Sequence, residues 1–238
     1  MKRLRTALTA MMILGTAFAA HAGSVTIMPL GDSITEGGGG FVAYRYPLAE
    51  KLRAAGFEVE FVGSKTTQAK EKSPLGVLRH EGYSGQNIQF LANRFEELYR
   101  QNPADIILLH AGHNQFADAQ PVPGMLVTTR RIIEAARAIN PKVTILLAQV
   151  ITSGKLPKYS YIPEYNAGLV GLAAEYDKPE QRVILVNQAE GFDWETDTIS
   201  DKVHPSARGA EKMAAKWFEA LQKVLPAPRA STPSEGSR

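Results

Sequence analysis

The sequence predicts an α/β domain in which helices cover both faces of a parallel, doubly wound sheet. Three observations predict it. Short apolar runs recur at 25–30, 105–109, 143–150 and 183–186, the pattern of strands buried on both faces. Between them lie longer segments whose apolar residues return every three or four positions, as in helices packed along one side. The two kinds alternate along the chain, which calls for parallel pairing through helical crossovers. Five strands in the order 2-1-3-4-5 satisfy these rules in one domain, and the 238 residues leave ample core for it.

Taken in order, the first strand runs over 25–30 and stops at Gly31-Asp32-Ser33. Gly31 permits a sharp turn there. A helix follows over 46–56, with Leu48 and Leu52 on one face, Pro47 in its first turn and Gly56 at its stop. Residues 57–62 alternate as a strand does, and the polar, irregular stretch 64–78 reads as loop. The next helix, 88–99, aligns Ile88, Leu91, Phe95 and Leu98. After the strand at 105–109 comes a helix over 123–140 that Pro141 ends, then the strand at 143–150. A helix at 162–176, a last strand at 183–186 and a closing helix at 207–225 complete the domain. Met213, Trp217, Leu221 and Val224 form the inward face of that last helix.

The two ends read differently. Lys2, Arg3 and Arg5, an apolar stretch over 7–20 and the small-x-small site Ala20-His21-Ala22 have the layout of a secretory signal peptide, so residues 1–22 are expected to be cleaved before Gly23. The apolar stretch is short for a bilayer span, and without cysteine there is no lipid attachment, so no stable membrane anchor is expected. A periplasmic or secreted location follows from this reading. Residues 23–225 form the domain, and 226–238, rich in Pro, Ser and Ala, read as a disordered tail. Without Lys2, Arg3 and Arg5, the 27 basic and 24 acidic residues become 24 against 24. The basic excess belongs to the leader, and nothing in the charge supports a nucleic-acid partner. No cysteine means no disulfide and no thiolate metal site, which a domain with a core this large tolerates outside the cytoplasm.

Polar residues gather where strands end, which is where open α/β sheets place their chemistry. These stretches are Gly31-Asp32-Ser33, 79–85 (RHEGYSG), His110-Ala111-Gly112-His113-Asn114, 149–153, and Ser200-Asp201-Lys202-Val203-His204-Pro205. Serine becomes a nucleophile when a neighbouring base takes its proton, and a carboxylate sets the tautomer of that base. Ser33, His204 and Asp201 supply those three roles. Pro205 keeps the Asp-x-x-His segment out of a helix. The oxyanion of an acyl intermediate needs donors, for which the N–H groups of Ser33 and Gly82 and the amide of Asn114 are candidates.

The Gly-Asp-Ser, glycine, Gly-x-Asn and Asp-x-x-His blocks, in that order, resemble the SGNH (GDSL-type) hydrolase superfamily over residues 25–225. The stretches IMPLGDSIT at 27–35 and RHEGYSG at 79–85 are similar, more narrowly, to acetylxylan esterases of carbohydrate esterase family 3. The resemblance implies a three-layer, flavodoxin-like sandwich and ester hydrolysis without metal or other cofactor. It implies Ser33 as nucleophile, Asp201 and His204 as its partners, and Gly82 and Asn114 as oxyanion donors. The expected substrate is a small ester or an acetylated carbohydrate. The family usually carries Asp after the block-three Asn; here it is Gln115, so the local hydrogen bonding is expected to differ.

Other residues keep two readings. Asp32 is a turn or capping carboxylate, or a substrate contact. His80, His110 and His113 either hydrogen-bond beneath the site loops or form a metal site, and His113 also borders the acyl pocket. Tyr159, Tyr161 and Tyr165 stack on sugar or fill core, and Trp194 lines the cleft or packs. Two other functions stand beside carbohydrate deacetylation. One is a general arylesterase, lysophospholipase or thioesterase; the other is a catalytically weakened carbohydrate-binding protein.

Overall fold

The computed structural model describes residues 24–66, 76–116 and 119–228. The expected leader and most of the expected tail lie outside the described residues, as does the middle of the 64–78 loop. The elements are β1 (Val25–Gly31), α1 (Ser33–Glu36), α2 (Arg45–Ala54), β2 (Val59–Phe61), β3 (Glu81–Gly82), α3 (Ile88–Gln101), β4 (Ile106–His110), α4 (Val122–Ile139), β5 (Thr144–Gln149), α5 (Ile162–Tyr176), β6 (Val183–Asn187), α6 (Trp194–Asp197) and α7 (Ala207–Gln222).

Five strands pair in parallel in the order β2-β1-β4-β5-β6. This is the expected 2-1-3-4-5 arrangement, with one addition. The two-residue β3 pairs with the end of β1, setting Glu81 beside Leu30 and Gly82 beside Gly31. Two residues carry no readable period, so β3 was absent from the sequence-based expectation. The one-turn helices α1 and α6 escaped for the same reason.

Strand side chains alternate between two cores, as the pleat requires. Met28, Leu30, Ile107, Leu109, Ile145 and Leu147 face one side, against Leu91 and Phe95 of α3, Ile132 of α4 and Leu169 of α5. Ile27, Ile106, Leu108, Leu146 and Ala148 face the other, against Leu48 and Leu52 of α2 and Met213, Trp217 and Leu221 of α7. The result is a three-layer sandwich whose strands all end at one edge.

At that edge Gly31 is required by space. A Cβ there would lie 2.2 Å from the His110 carbonyl oxygen and 2.4 Å from Thr35 Oγ1. Gly31→Ala is therefore expected to destabilise the fold by about 1–3 kcal/mol, since neighbouring backbone must shift to admit the methyl. Urea denaturation checks this, and an unchanged midpoint would refute the contact. Behind the same edge, the buried Arg45 guanidinium donates to the carbonyls of Thr35 (2.8 Å), Glu36 (2.8 Å) and Leu78. It thereby satisfies carbonyls that a one-turn helix leaves open.

Candidate active site

Ser33 is the first residue of α1. Asp32 caps that turn, its Oδ1 accepting the Ile34 N–H at 3.0 Å. The serine is thus fixed two residues past β1, at the carboxyl edge of the sheet, and remains 7% exposed. The loop bearing His204 is closed by a bridge between Thr198 and Pro205 and by the Ile199 N–H on the His204 carbonyl at 2.9 Å. Lys202 adopts φ +61°, and its carbonyl accepts Ser153 Oγ at 2.8 Å and the Gly154 N–H at 3.0 Å. The loop after β5 therefore holds the histidine loop in place.

Within that loop Asp201 Oδ1 accepts the N–H groups of Val203 and His204, both at 2.9 Å. Oδ2 is left for His204 Nδ1 at 2.5 Å. His204 Nε2 then lies 2.8 Å from Ser33 Oγ, joining residues 171 positions apart. The Phe41 ring stacks on the imidazole, centroids 4.4 Å apart and planes 22° apart. Burial by itself would raise the Asp201 carboxyl, but the His204 ring and the two amides overcome this and hold it below its ordinary value. The carboxylate stays ionised and orients the ring. The arrangement can deprotonate the serine and return the proton to a leaving alcohol.

The expected donors are placed unequally. The Asn114 backbone sits at φ +67°, which asparagine tolerates, and Nδ2 donates to the Gln86 carbonyl at 3.1 Å. Gly82 does not offer the donor expected of it. Its N–H donates to His80 Nδ1 at 3.0 Å, and a Cβ there would lie 2.4 Å from the Glu36 nitrogen. Gly82 is a glycine because α1 packs against it. Three residues on, Gly85 has φ +74°, a Cβ built on it would meet open space, and its N–H has no partner among the described residues. Sequence reasoning passed over Gly85; its signal was the second glycine of the same block.

The open readings now separate. Asp32 and His113 are each 1% exposed and face one another, Oδ2 and Nδ1 being 3.8 Å apart. They lie beneath the serine, out of reach of solvent. His110 Nε2 accepts the Ile151 N–H at 3.3 Å and His80 Nδ1 accepts the Gly82 N–H at 3.0 Å, while both ring nitrogens of His113 are buried without a hydrogen bond. Tyr165 and Tyr159 are buried, and Tyr165 Oη donates to the Ala111 carbonyl at 3.2 Å. Tyr161 Oη accepts the Gln115 N–H at 3.1 Å and donates to the Gly112 carbonyl at 3.0 Å, bracing the loop that carries Asn114. Gln115 Oε1 is buried without a hydrogen bond. Trp194 is half-buried against Gly154, where an added Cβ would lie 2.1 Å from its ring, and Lys202 Nζ sits 5.3 Å from the ring centre.

Burial pushes the Asp32 carboxyl up to about 6, only partly offset by the Ile34 amide and the nearby His204. The folded chain therefore holds this proton more tightly than the unfolded chain does. Its contribution to stability is greatest below about pH 4 and is lost as pH rises through about 6. Asp32→Asn should gain on the wild type by up to about 3 kcal/mol between pH 4 and pH 7. Denaturation curves at the two pH values test this; an equal difference at both would remove the buried-carboxyl account.

The family described as GDSL-like lipase/acylhydrolase matches residues 30–212. The chain is 27% identical over 244 residues to a multidomain esterase of Ruminococcus flavefaciens, a match that takes in 91% of this chain and 31% of that protein. It thus spans about a third of that relative's length. In fold it is similar to a carbohydrate esterase family 3 protein from Talaromyces cellulolyticus, with TM-score 0.76, 24% identity, and coverage of 84% of this chain and 97% of the other. It is also similar to a Clostridium thermocellum family 3 carbohydrate esterase, with TM-score 0.71, 28% identity, and coverage of 85% and 97%. With most of its length inside the family match, the chain belongs to the GDSL-like lipase/acylhydrolase family.

Proposed function

We propose that this chain is an exported serine esterase that removes O-acetyl groups from carbohydrate through an acyl-enzyme. The observation that carries the chemistry is the continuous chain Ser33 Oγ–His204–Asp201, with contacts of 2.8 and 2.5 Å. Ser33 Oγ attacks the acetyl carbonyl as His204 Nε2 takes its proton. The N–H groups of Ser33 and Gly85 and the Asn114 amide receive the oxyanion, with Gly85 in the place first expected of Gly82. His204 returns the proton to the departing sugar hydroxyl. Water, deprotonated by the same ring, then releases acetate. The substrate assignment is supported by the carbohydrate esterases of similar fold and by the leader expected at 1–22. Among the described residues no helix is long and apolar enough to cross a membrane.

The test is a substrate panel. Purified protein is expected to release acetate from acetylated xylan and to lose activity as the acyl chain of a model ester lengthens. Turnover confined to long-chain esters would overturn the substrate assignment. Asn114→Ala is expected to lower kcat about 100-fold, as for the loss of one oxyanion donor. Stopped assays with a short-chain ester measure it, and an undiminished kcat would remove Asn114 from the hole.

A further inference from the structure

Two buried carboxylates stand behind the nucleophile and take no part in the steps above. Glu36 ends α1, the one-turn helix that Ser33 begins, and is 8% exposed. Its Oε2 accepts the Ser84 N–H at 2.7 Å and its Oε1 meets Lys65 Nζ at 2.5 Å. Lys65 Nζ also donates to the Gly82 carbonyl at 3.0 Å. Glu81, fully buried, accepts the Ser64 N–H at 2.6 Å, Ser64 Oγ at 2.9 Å and Tyr83 Oη at 2.7 Å. The 81–84 segment is gripped from two sides by ionic and hydrogen-bonded contacts.

That segment leads into a four-residue turn. The Gln86 N–H closes on the Tyr83 carbonyl at 3.1 Å, and φ +74° at Gly85, in third place, marks a type II turn. On one side the Tyr83 N–H is held by the Gly31 carbonyl at 2.9 Å; on the other the Gln86 carbonyl accepts Asn114 Nδ2 at 3.1 Å. The Gly85 amide thus lies between a residue tied to the serine's own helix and one tied to Asn114.

We propose that Glu36, braced by Lys65, is a positioning residue for the oxyanion hole. By holding the Ser84 amide from the helix that carries Ser33, it sets the spacing between the nucleophile and the Gly85 N–H. The inference rests on the acyl-enzyme reading with Gly85 as a donor. Its physical basis is that a carboxylate–amide bond is about twice as strong as a neutral one, and that α1 offers a single turn between the two functions. Donors act only at about 2.7–3.1 Å from the oxyanion.

Two substitutions remove the same bond from opposite ends. Glu36→Ala removes the acceptor. Ser84→Pro removes the donor at the second place of a type II turn, which proline favours, after a residue whose strand-like pairing suits it. Each is expected to lower kcat about 100-fold, the scale of a misplacement of roughly 1 Å, with KM nearly unchanged. The double variant should be no slower than the slower single, because one contact is lost in all three. Glu36→Gln, which keeps an acceptor, should recover most of the rate. Wild-type kcat in folded Ser84→Pro, or effects that multiply in the double variant, would overturn the proposal. If Glu36→Ala does not fold, the kcat of Ser84→Pro decides alone. Ser33→Ala, assayed alongside, separates the two ideas: hydrolysis surviving there would bring down the acyl-enzyme reading itself, and this inference with it.

Discussion

Ser33→Ala is expected to reduce ester hydrolysis by on the order of 10⁴- to 10⁶-fold and to leave the protein folded. The hydroxyl is the attacking atom, and alanine offers nothing in its place. The fold should not notice, because the side chain's hydrogen bond within the structure runs to His204 and its exposure is 7%. Deleting a group held by one partly solvated contact changes stability by about 0.5 kcal/mol or less, whereas its chemistry is lost outright. Initial rates on a short-chain ester, paired with a melting curve, make the measurement. A variant that melts like the wild type and still hydrolyses the ester at the wild-type rate would show that attack comes from elsewhere.

The second large effect is expected at His204. His204→Ala removes the base that takes the Ser33 proton and the acid that protonates the leaving group, so its loss in kcat should approach that of Ser33→Ala. The two losses should not multiply. Serine and histidine act as one unit, and the double variant should be about as slow as either single one. The structural cost is different. The Phe41 ring loses its stacked partner, and Asp201 Oδ2 loses its 2.5 Å contact, while Oδ1 keeps the two loop amides. A destabilisation of about 1 kcal/mol is the expected scale. Full hydrolysis by a folded His204→Ala protein, or losses that multiply in the double variant, would break the assignment.

The strands and long helices were legible because their apolar residues repeat at the period of the element that buries them. The β-strand residues divide by parity between the two cores, and the helices at 88–99 and 207–225 present the faces their spacing indicated. The serine, histidine and aspartate were legible because each follows a strand or sits in a loop that cannot be helical. Gly82 shows where this reasoning ends. Both Gly82 and Gly85 lie in one short block, and composition does not distinguish a glycine needed for space from one needed for an open amide. Packing against the Glu36 backbone and the bond to His80 settle the first, while the positive φ and open surroundings of Gly85 mark the second. Tyr161 is similar. An aromatic group after a strand reads as a sugar platform or as core, and neither reading shows that the Tyr161 hydroxyl bonds two backbone groups of the Asn114 loop.

The sequence alone determined the layered α/β architecture and the residue types able to run an acyl transfer. Those follow from periodicity and from side-chain chemistry, which are local properties of the chain. Only the tertiary structure decided which donors are free, which carboxylates are buried, and that Glu36 reaches across to the Ser84 amide 48 residues away. Such contacts join segments distant along the chain, and a hydrogen-bonding group is available or engaged only once its neighbours in space are in place.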